Sequence, residues 1–205
     1  MAPTLILTYF DMGGAAEPIR WAMEQGGLGW TDKRLTREEF GALKPSLPNG
    51  QVPILEVDGI QLPQSMAILR YVGKLGGLYP ADDLAGAKVD AILDSCGDFS
   101  VNIRPSFMEK DTAKKMELRA DLAAIYIPTW LANMEKQLSS TEGTYFFDKM
   151  TVADIMTAYR LHHLKIGILD GIPTTIFDSY PGLNALYSSI VAEPKIAAFL
   201  AKHAK

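Results

Sequence analysis

Met150-Thr151-Val152-Ala153-Asp154-Ile155 marks the start of a helix by two independent devices. Thr151 can cap the helix while Asp154, three residues on, reaches back to the Thr151 amide. Met150 and Ile155 stand at the N′ and N4 positions of a hydrophobic staple, so apolar contact closes the same turn. A capping box alone says little about chemistry. Its meaning comes from what stands far upstream, the run Thr8-Tyr9-Phe10-Asp11.

Between these two points the chain changes character once. Back from the box the spacing is helical: Leu131, Met134 and Leu138, then Leu118, Leu122 and Ile125 around a kink predicted at Pro128, then Val89, Ile92, Leu93 and Cys96 at i, i+3, i+4, i+7. Gly76-Gly77-Leu78-Tyr79-Pro80-Ala81-Asp82-Asp83 reads as a linker. Before it, strands and helices alternate. Leu5 to Tyr9 is an apolar strand, Ala16 to Gly26 a helix stopped by Gly26-Gly27, Trp30 to Leu35 a second strand, and Arg37 to Leu43 a short helix. Asp58-Gly59 joins Val52-Pro53-Ile54-Leu55-Glu56-Val57 to Ile60-Gln61-Leu62, which predicts a type I′ hairpin. Ser65 then opens a helix whose Met66, Leu69 and Val72 share a face. An α/β domain over 1–80 followed by an all-helical domain over 81–205 is expected, both of ordinary size.

Composition bounds the function. Of 205 residues 48% are hydrophobic and 21% charged, with mean hydropathy +0.05, an ordinary globular balance. The single cysteine, Cys96, excludes an internal disulfide and any multi-cysteine zinc site. Net charge is -4 and no Lys/Arg cluster occurs, which argues against nucleic acid as a partner. No apolar run reaches the ~20 residues of a membrane span, and Met1 to Phe10 is short and uncharged for a signal peptide. A cytoplasmic location is expected, without a membrane partner.

Tyr9-Phe10 after a first strand, Gln51-Val52-Pro53-Ile54-Leu55 before a hairpin, Gln64-Ser65-Met66-Ala67-Ile68 opening a helix, and the Thr151 box in a helical second half together resemble the cytosolic glutathione transferases. Thr8-Tyr9-Phe10-Asp11-Met12, Pro53 to Gly59 and Val89-Asp90-Ala91-Ile92 are most similar to the sigma class, which includes glutathione-dependent prostaglandin D synthases. The resemblance covers essentially the whole chain. It implies a thioredoxin-like α/β domain binding glutathione, an all-α domain carrying the electrophile-site wall, and a homodimer. Glutathione is then a co-substrate, with no tightly bound cofactor and no metal.

Glutathione attacks as its thiolate, so a family member must favour the anion near neutral pH. By resemblance Tyr9 donates its phenolic hydrogen bond to that sulfur. Read alone, from strand position, Tyr9 is a strand-end aromatic completing a core. The resemblance also implies a cis bond between Val52 and Pro53, with Val52 backbone groups pairing to the tripeptide, whereas base rates favour trans. Gln64 and Ser65, where a helix begins, suit the γ-glutamyl end, or Ser65 caps its own helix. Phe10, Phe40, Lys44, Gln51 and Asp98 complete the glutathione set, Asp98 by reaching across the dimer. Asp90, Asp94 and Asp98 fall at i, i+4, i+8, an acidic face that costs a few tenths of a kcal/mol per pair.

Three positions depart from the sigma pattern: Ala15 where an arginine often stands, Phe40 in place of a tryptophan, and Gln51 in place of a lysine. Each loses a donor or a charge, so weaker glutathione binding is expected. Met12, Ala15, Ser100, Arg104, Pro105, Met156 and Arg160 are expected to line the electrophile site, with Cys96 on the adjoining helix as an inert core residue. Arg104 and Arg160 read either as anion-binding groups or as two surface arginines. His162, His163 and His203 show no metal-ligand spacing. The implied activity is conjugation of glutathione to small hydrophobic electrophiles, with a glutathione-dependent isomerase and a non-catalytic, crystallin-like binding protein as alternatives.

Overall fold

Alternating burial fixes the first strand. In the computed structural model, which describes residues 2–203, β1 (Leu5–Phe10) buries Leu5 and Leu7. Met1, Ala204 and Lys205, the ends of the expected 1–80 and 81–205 spans, lie outside the described residues. β1 pairs in parallel with β2 (Thr31–Leu35) and antiparallel with β3 (Ile54–Val57), which pairs antiparallel with β4 (Ile60–Pro63). The sheet order is β2-β1-β3-β4. Asp58 and Gly59 have φ of 48° and 85°, the two positive values that a type I′ turn requires.

The parallel β1–β2 pair needs a crossover, supplied by α1 (Glu17–Gln25), whose Ile19, Trp21, Ala22 and Met23 are fully buried. α2 (Arg37–Leu43) starts on its own capping box, Thr36 with Glu39. α3 (Ser65–Leu75) packs on α1 and buries Ile68, Leu69 and Val72. This is the thioredoxin-like arrangement expected for the first part of the chain.

The chain divides into two compact units, one running to Pro80 and taking in the segment from Pro194 onward, the other Ala81–Glu193. The expected 81–205 span therefore differs at its end. The C-terminal helix α9 (Pro194–His203; α4 to α8 are given below) packs against α1, with Ile196 and Phe199 buried and Lys195 Nζ donating to the Gln25 carbonyl at 3.2 Å. No strand signal was needed to place it there, only an apolar face that α1 can cover.

The second unit is all helical: α4 (Asp83–Met108), α5 (Thr112–Asp121), α6 (Ile127–Leu138), α7 (Val152–Lys165) and α8 (Pro181–Ala192). Val89, Ile92, Leu93 and Cys96 of α4 are buried, as their spacing predicts. The interruption predicted at Pro128 takes the form of a single π turn, Leu122–Tyr126, between α5 and α6. Pro128 has no N–H for the carbonyl four residues back, and the wider turn absorbs the mismatch. The helical spacing of Leu118, Leu122 and Ile125 does not mark a fully buried face. Ile125 is 70% exposed, because these side chains line an open cavity of about 300 Å³ instead of a core.

At the start of α7 the box is complete. Asp154 Oδ2 accepts from the Thr151 amide at 2.7 Å and the Thr151 hydroxyl at 2.8 Å, and Oδ1 accepts from the Phe146 amide at 2.8 Å. Asp154 is fully buried, and burial pushes its carboxyl above the usual range while these hydrogen bonds pull it down. Met150 and Ile155, the staple pair, are both buried.

Candidate functional site

The end of β1 delivers Tyr9 to a tight turn. Gly14 takes φ +51°, and the Ala15 amide donates to the Tyr9 hydroxyl at 3.3 Å. A hydroxyl that accepts one backbone N–H still has its own hydrogen to give away. Ala15 in turn lines a cleft of about 120 Å³ with Gln51, Val52, Pro53, Gln64 and Ser65, closed by Asn49 and Pro63. Five of the residues expected to bind glutathione thus share one cleft, and the tyrosine stands at its edge through Ala15. The Val52–Pro53 bond is cis.

α3 aims its N-terminus at this cleft. Gln64 is the N-cap residue, at φ 76° and ψ 109°, and among the described residues no side chain caps the turn. Ser65 is the first helical residue and does not cap its own helix. The first amides of α3 and the positive end of its dipole are therefore left for an external acceptor. A non-glycine residue held at positive φ costs about 1–3 kcal/mol, a cost typical of functional sites.

Phe10 and Phe40 meet edge-on at 5.1 Å, and Tyr9 and Phe10 at 5.4 Å, so the three aromatics form a row at the C-terminal end of β1. Lys44 is exposed, its stem lying across Gly50, where an added Cβ would be 3.5 Å from Lys44 Cε. That places it next to Gln51. Met12 is 53% exposed in the turn after β1. Ala15, expected at the electrophile site, lines the cleft of the glutathione candidates.

Sequence reasoning missed Arg20. Its side chain is fully buried on α1, ion-paired to Glu17 at 3.0 Å and Asp32 at 3.2 Å. It donates to the Met12 carbonyl at 2.8 Å and the Phe10 carbonyl at 3.4 Å, holding the turn that follows Tyr9 from both sides. The available signal was an arginine amid the apolar stripe of α1, three residues after Glu17. Asn49 and Pro63, which also line the cleft, were missed as well.

In the helical unit, Cys96 Sγ lies 3.6 Å from Thr157 Oγ1, joining α4 to α7, and Ser100 Oγ donates to the Cys96 carbonyl at 3.2 Å. Burial pushes the Cys96 thiol up to about 11, consistent with an inert core residue. Met156 and Arg160 follow on α7, one turn apart, so Ser100, Met156 and Arg160 belong to the same pair of packed helices. Arg104 and Asp98 are exposed on α4. Arg160 is half-buried, with its Nε buried and without a hydrogen-bond partner among the described residues. Pro105 opens elsewhere, on the cavity walled by Asn102, Leu118, Leu122, Ile125 and Tyr126, apart from Ser100, Met156 and Arg160.

Among the described residues no group of three His, Cys, Asp or Glu side chains is placed to hold a metal ion, and no helix is long and apolar enough to cross a membrane. Comparison with known proteins agrees with the geometry. The model of the glutathione S-transferase N-terminal domain matches residues 6–74, and that of the C-terminal domain residues 97–203. A glutathione S-transferase of Anopheles gambiae is 32% identical over 204 residues, 98% of this chain and 97% of that one. The chain belongs to the glutathione S-transferase family. An S-crystallin, SL11, of Nototodarus sloanii is 33% identical across 98% of this chain and 97% of its own. The solved structure of prostaglandin synthase D of Nilaparvata lugens superposes with TM-score 0.88 at 34% identity, covering 98% of both chains. Such relatives fit the sigma-class character of the sequence motifs, in a family that uses glutathione as co-substrate and is generally dimeric.

Proposed function

We propose that the protein conjugates the glutathione thiolate to small hydrophobic electrophiles, with Tyr9 stabilising the thiolate. The observation that carries this reading is the Tyr9 hydroxyl: it accepts the Ala15 amide and keeps its hydrogen for an acceptor beside the cleft of Gln51, Val52, Pro53, Gln64 and Ser65. A sulfur anion there receives that hydrogen bond, while the uncapped amides of α3 receive the γ-glutamyl carboxylate. Lys44 lies toward the glycine carboxylate, and Phe10 and Phe40 flank the peptide. With an aryl halide the thiol proton passes to water, the sulfur–carbon bond forms, and halide leaves with the bonding pair. The helical segment from 81 onward supplies the electrophile wall, Asp98 reaches the glutathione of the partner subunit in a homodimer, and the protein works in the cytoplasm.

Tyr9→Phe should lower turnover of an aryl halide by about a hundredfold while leaving glutathione binding within a few-fold, since the lost interaction favours the anion. Steady-state kinetics and calorimetric titration read the two effects separately. Unchanged turnover would remove Tyr9 from the mechanism.

The S-crystallin relative and the losses at Ala15, Phe40 and Gln51 favour a second reading, a glutathione-binding protein without activity. Retention on glutathione resin without turnover of any aryl halide decides for it. The prostaglandin synthase relative raises isomerisation as a further activity of the same thiolate, separable by assay with an endoperoxide.

A further inference from the structure

Among the described residues the two fully buried arginines are paired. Arg20 meets Glu17 and Asp32, and Arg119 meets Asp170 and the Ser106 hydroxyl. Arg160 is half-buried: its Nε is buried without a hydrogen-bond partner among the described residues, and its Cζ stands 5.8 Å from the centre of the Tyr159 ring. The groups that face it are the Cys96 thiol from α4 and the Tyr159 phenol and His163 ring from α7. None carries a negative charge near neutral pH. Burial keeps the thiol protonated, and burial together with Arg160 itself pushes His163 down to about 3.

A second orphan stands one turn away. His163 Nε2 lies 2.7 Å from the Tyr159 hydroxyl, but Nδ1 is buried without a partner. With the Tyr159 hydroxyl donating to Nε2, the neutral ring carries its hydrogen on Nδ1, a donor lacking an acceptor. Two nitrogens at i and i+3 on α7 are thus desolvated and unsatisfied, one of them on a cation. A buried donor without an acceptor costs free energy, and an anion is the acceptor that also matches the charge of the guanidinium.

We infer that Arg160, seconded by His163, makes the electrophile site select substrates bearing an anionic group, with a carboxylate as the group that best matches a guanidinium. This rests on the reading of Ser100, Met156 and Arg160 as the electrophile wall of a transferase. The selected substrate is then a small apolar electrophile with one acidic substituent.

The test compares 4-chloro-3,5-dinitrobenzoate with the neutral 1-chloro-2,4-dinitrobenzene under saturating glutathione. The ratio of kcat/KM for the anionic over the neutral substrate should fall about ten- to a hundredfold in Arg160→Met, the range of one charge-assisted contact. Arg160→Lys should fall in between. An unchanged ratio overturns the inference. Should neither substrate react with the unaltered protein, the transferase reading fails, and calorimetry with unreactive 3,5-dinitrobenzoate carries the decision: binding lost in Arg160→Met supports an anion site, and equal binding or none overturns it. Folding is read alongside. Removing a cation whose buried nitrogen lacks a partner should leave the melting temperature equal or higher, and a marked fall would mean that the protein itself supplies the partner, which also overturns the inference.

Discussion

A methyl group on Gly14 would lie 2.6 Å from the Tyr9 hydroxyl and 3.0 Å from its ring, at a backbone φ of +51°. Neither position can yield without moving the other, so Gly14→Ala should displace the phenol that the proposed mechanism depends on. Turnover of an aryl halide should fall about tenfold to a hundredfold, the scale of a 1 Å misplacement, and glutathione binding should suffer less. Kinetics equal to the unaltered protein would show that the hydroxyl's position is unimportant. His163 offers a second test at this scale, in stability. Its folded value is about 3 against an ordinary 6.5, so between these pH values the unfolded chain binds a proton that the folded chain refuses. Stability therefore rises with pH across that window and is lost as pH falls through it. From about pH 7 to about pH 5 the unaltered protein should lose about 2 kcal/mol more than His163→Gln, measured by urea unfolding. Asp154, shifted upward, slopes the other way, which is why the comparison is between two proteins and not between two pH values alone.

Elements were legible where their signals are local. The α7 box, the α2 segment, the Asp58-Gly59 hairpin and the opening of α3 each depend on residues within four positions of one another, and each forms as read. The α5–α6 stripe was not legible, since helical spacing names a shared face without naming what covers it, and Leu118, Leu122 and Ile125 face a cavity. The candidate site divides in the same way. Gln51, Val52, Pro53, Gln64 and Ser65 share a cleft because turn and helix-start chemistry place them. Arg20 escaped notice, and Arg160 was left open between an anion-binding group and a surface arginine, because the state of a cation is decided by partners on other elements. The box itself makes a stability prediction. Asp154→Ala would strand the Phe146 amide, the Thr151 amide and the Thr151 hydroxyl, all buried donors costing about 1–3 kcal/mol each when unpaired. A loss of about 3 kcal/mol or more is expected in denaturant titration, and a loss under about 1 kcal/mol would mean that water reaches these groups.

At the scale of the molecule, the order of elements along the chain and their order in space part company at Pro194. After more than a hundred residues of helical unit, α9 returns to pack on α1, closing the first unit with residues from the far end of the sequence. Nothing local announces this, because an amphipathic C-terminal helix fits any apolar face of the right size. The consequence is that the unit carrying Tyr9 depends on the last helix. Phe199 is buried there, its ring 4.2 Å from that of His203, and truncation to alanine removes a core aromatic at a cost of about 3–5 kcal/mol. That loss should be local to the first unit. In Phe199→Ala, amide hydrogen exchange should accelerate through α1 while α7, anchored by its own box, keeps its protection at moderate denaturant. Protection lost first in α7, or at the same rate in both, would mean that the two units unfold as one and that α9 belongs to neither in particular.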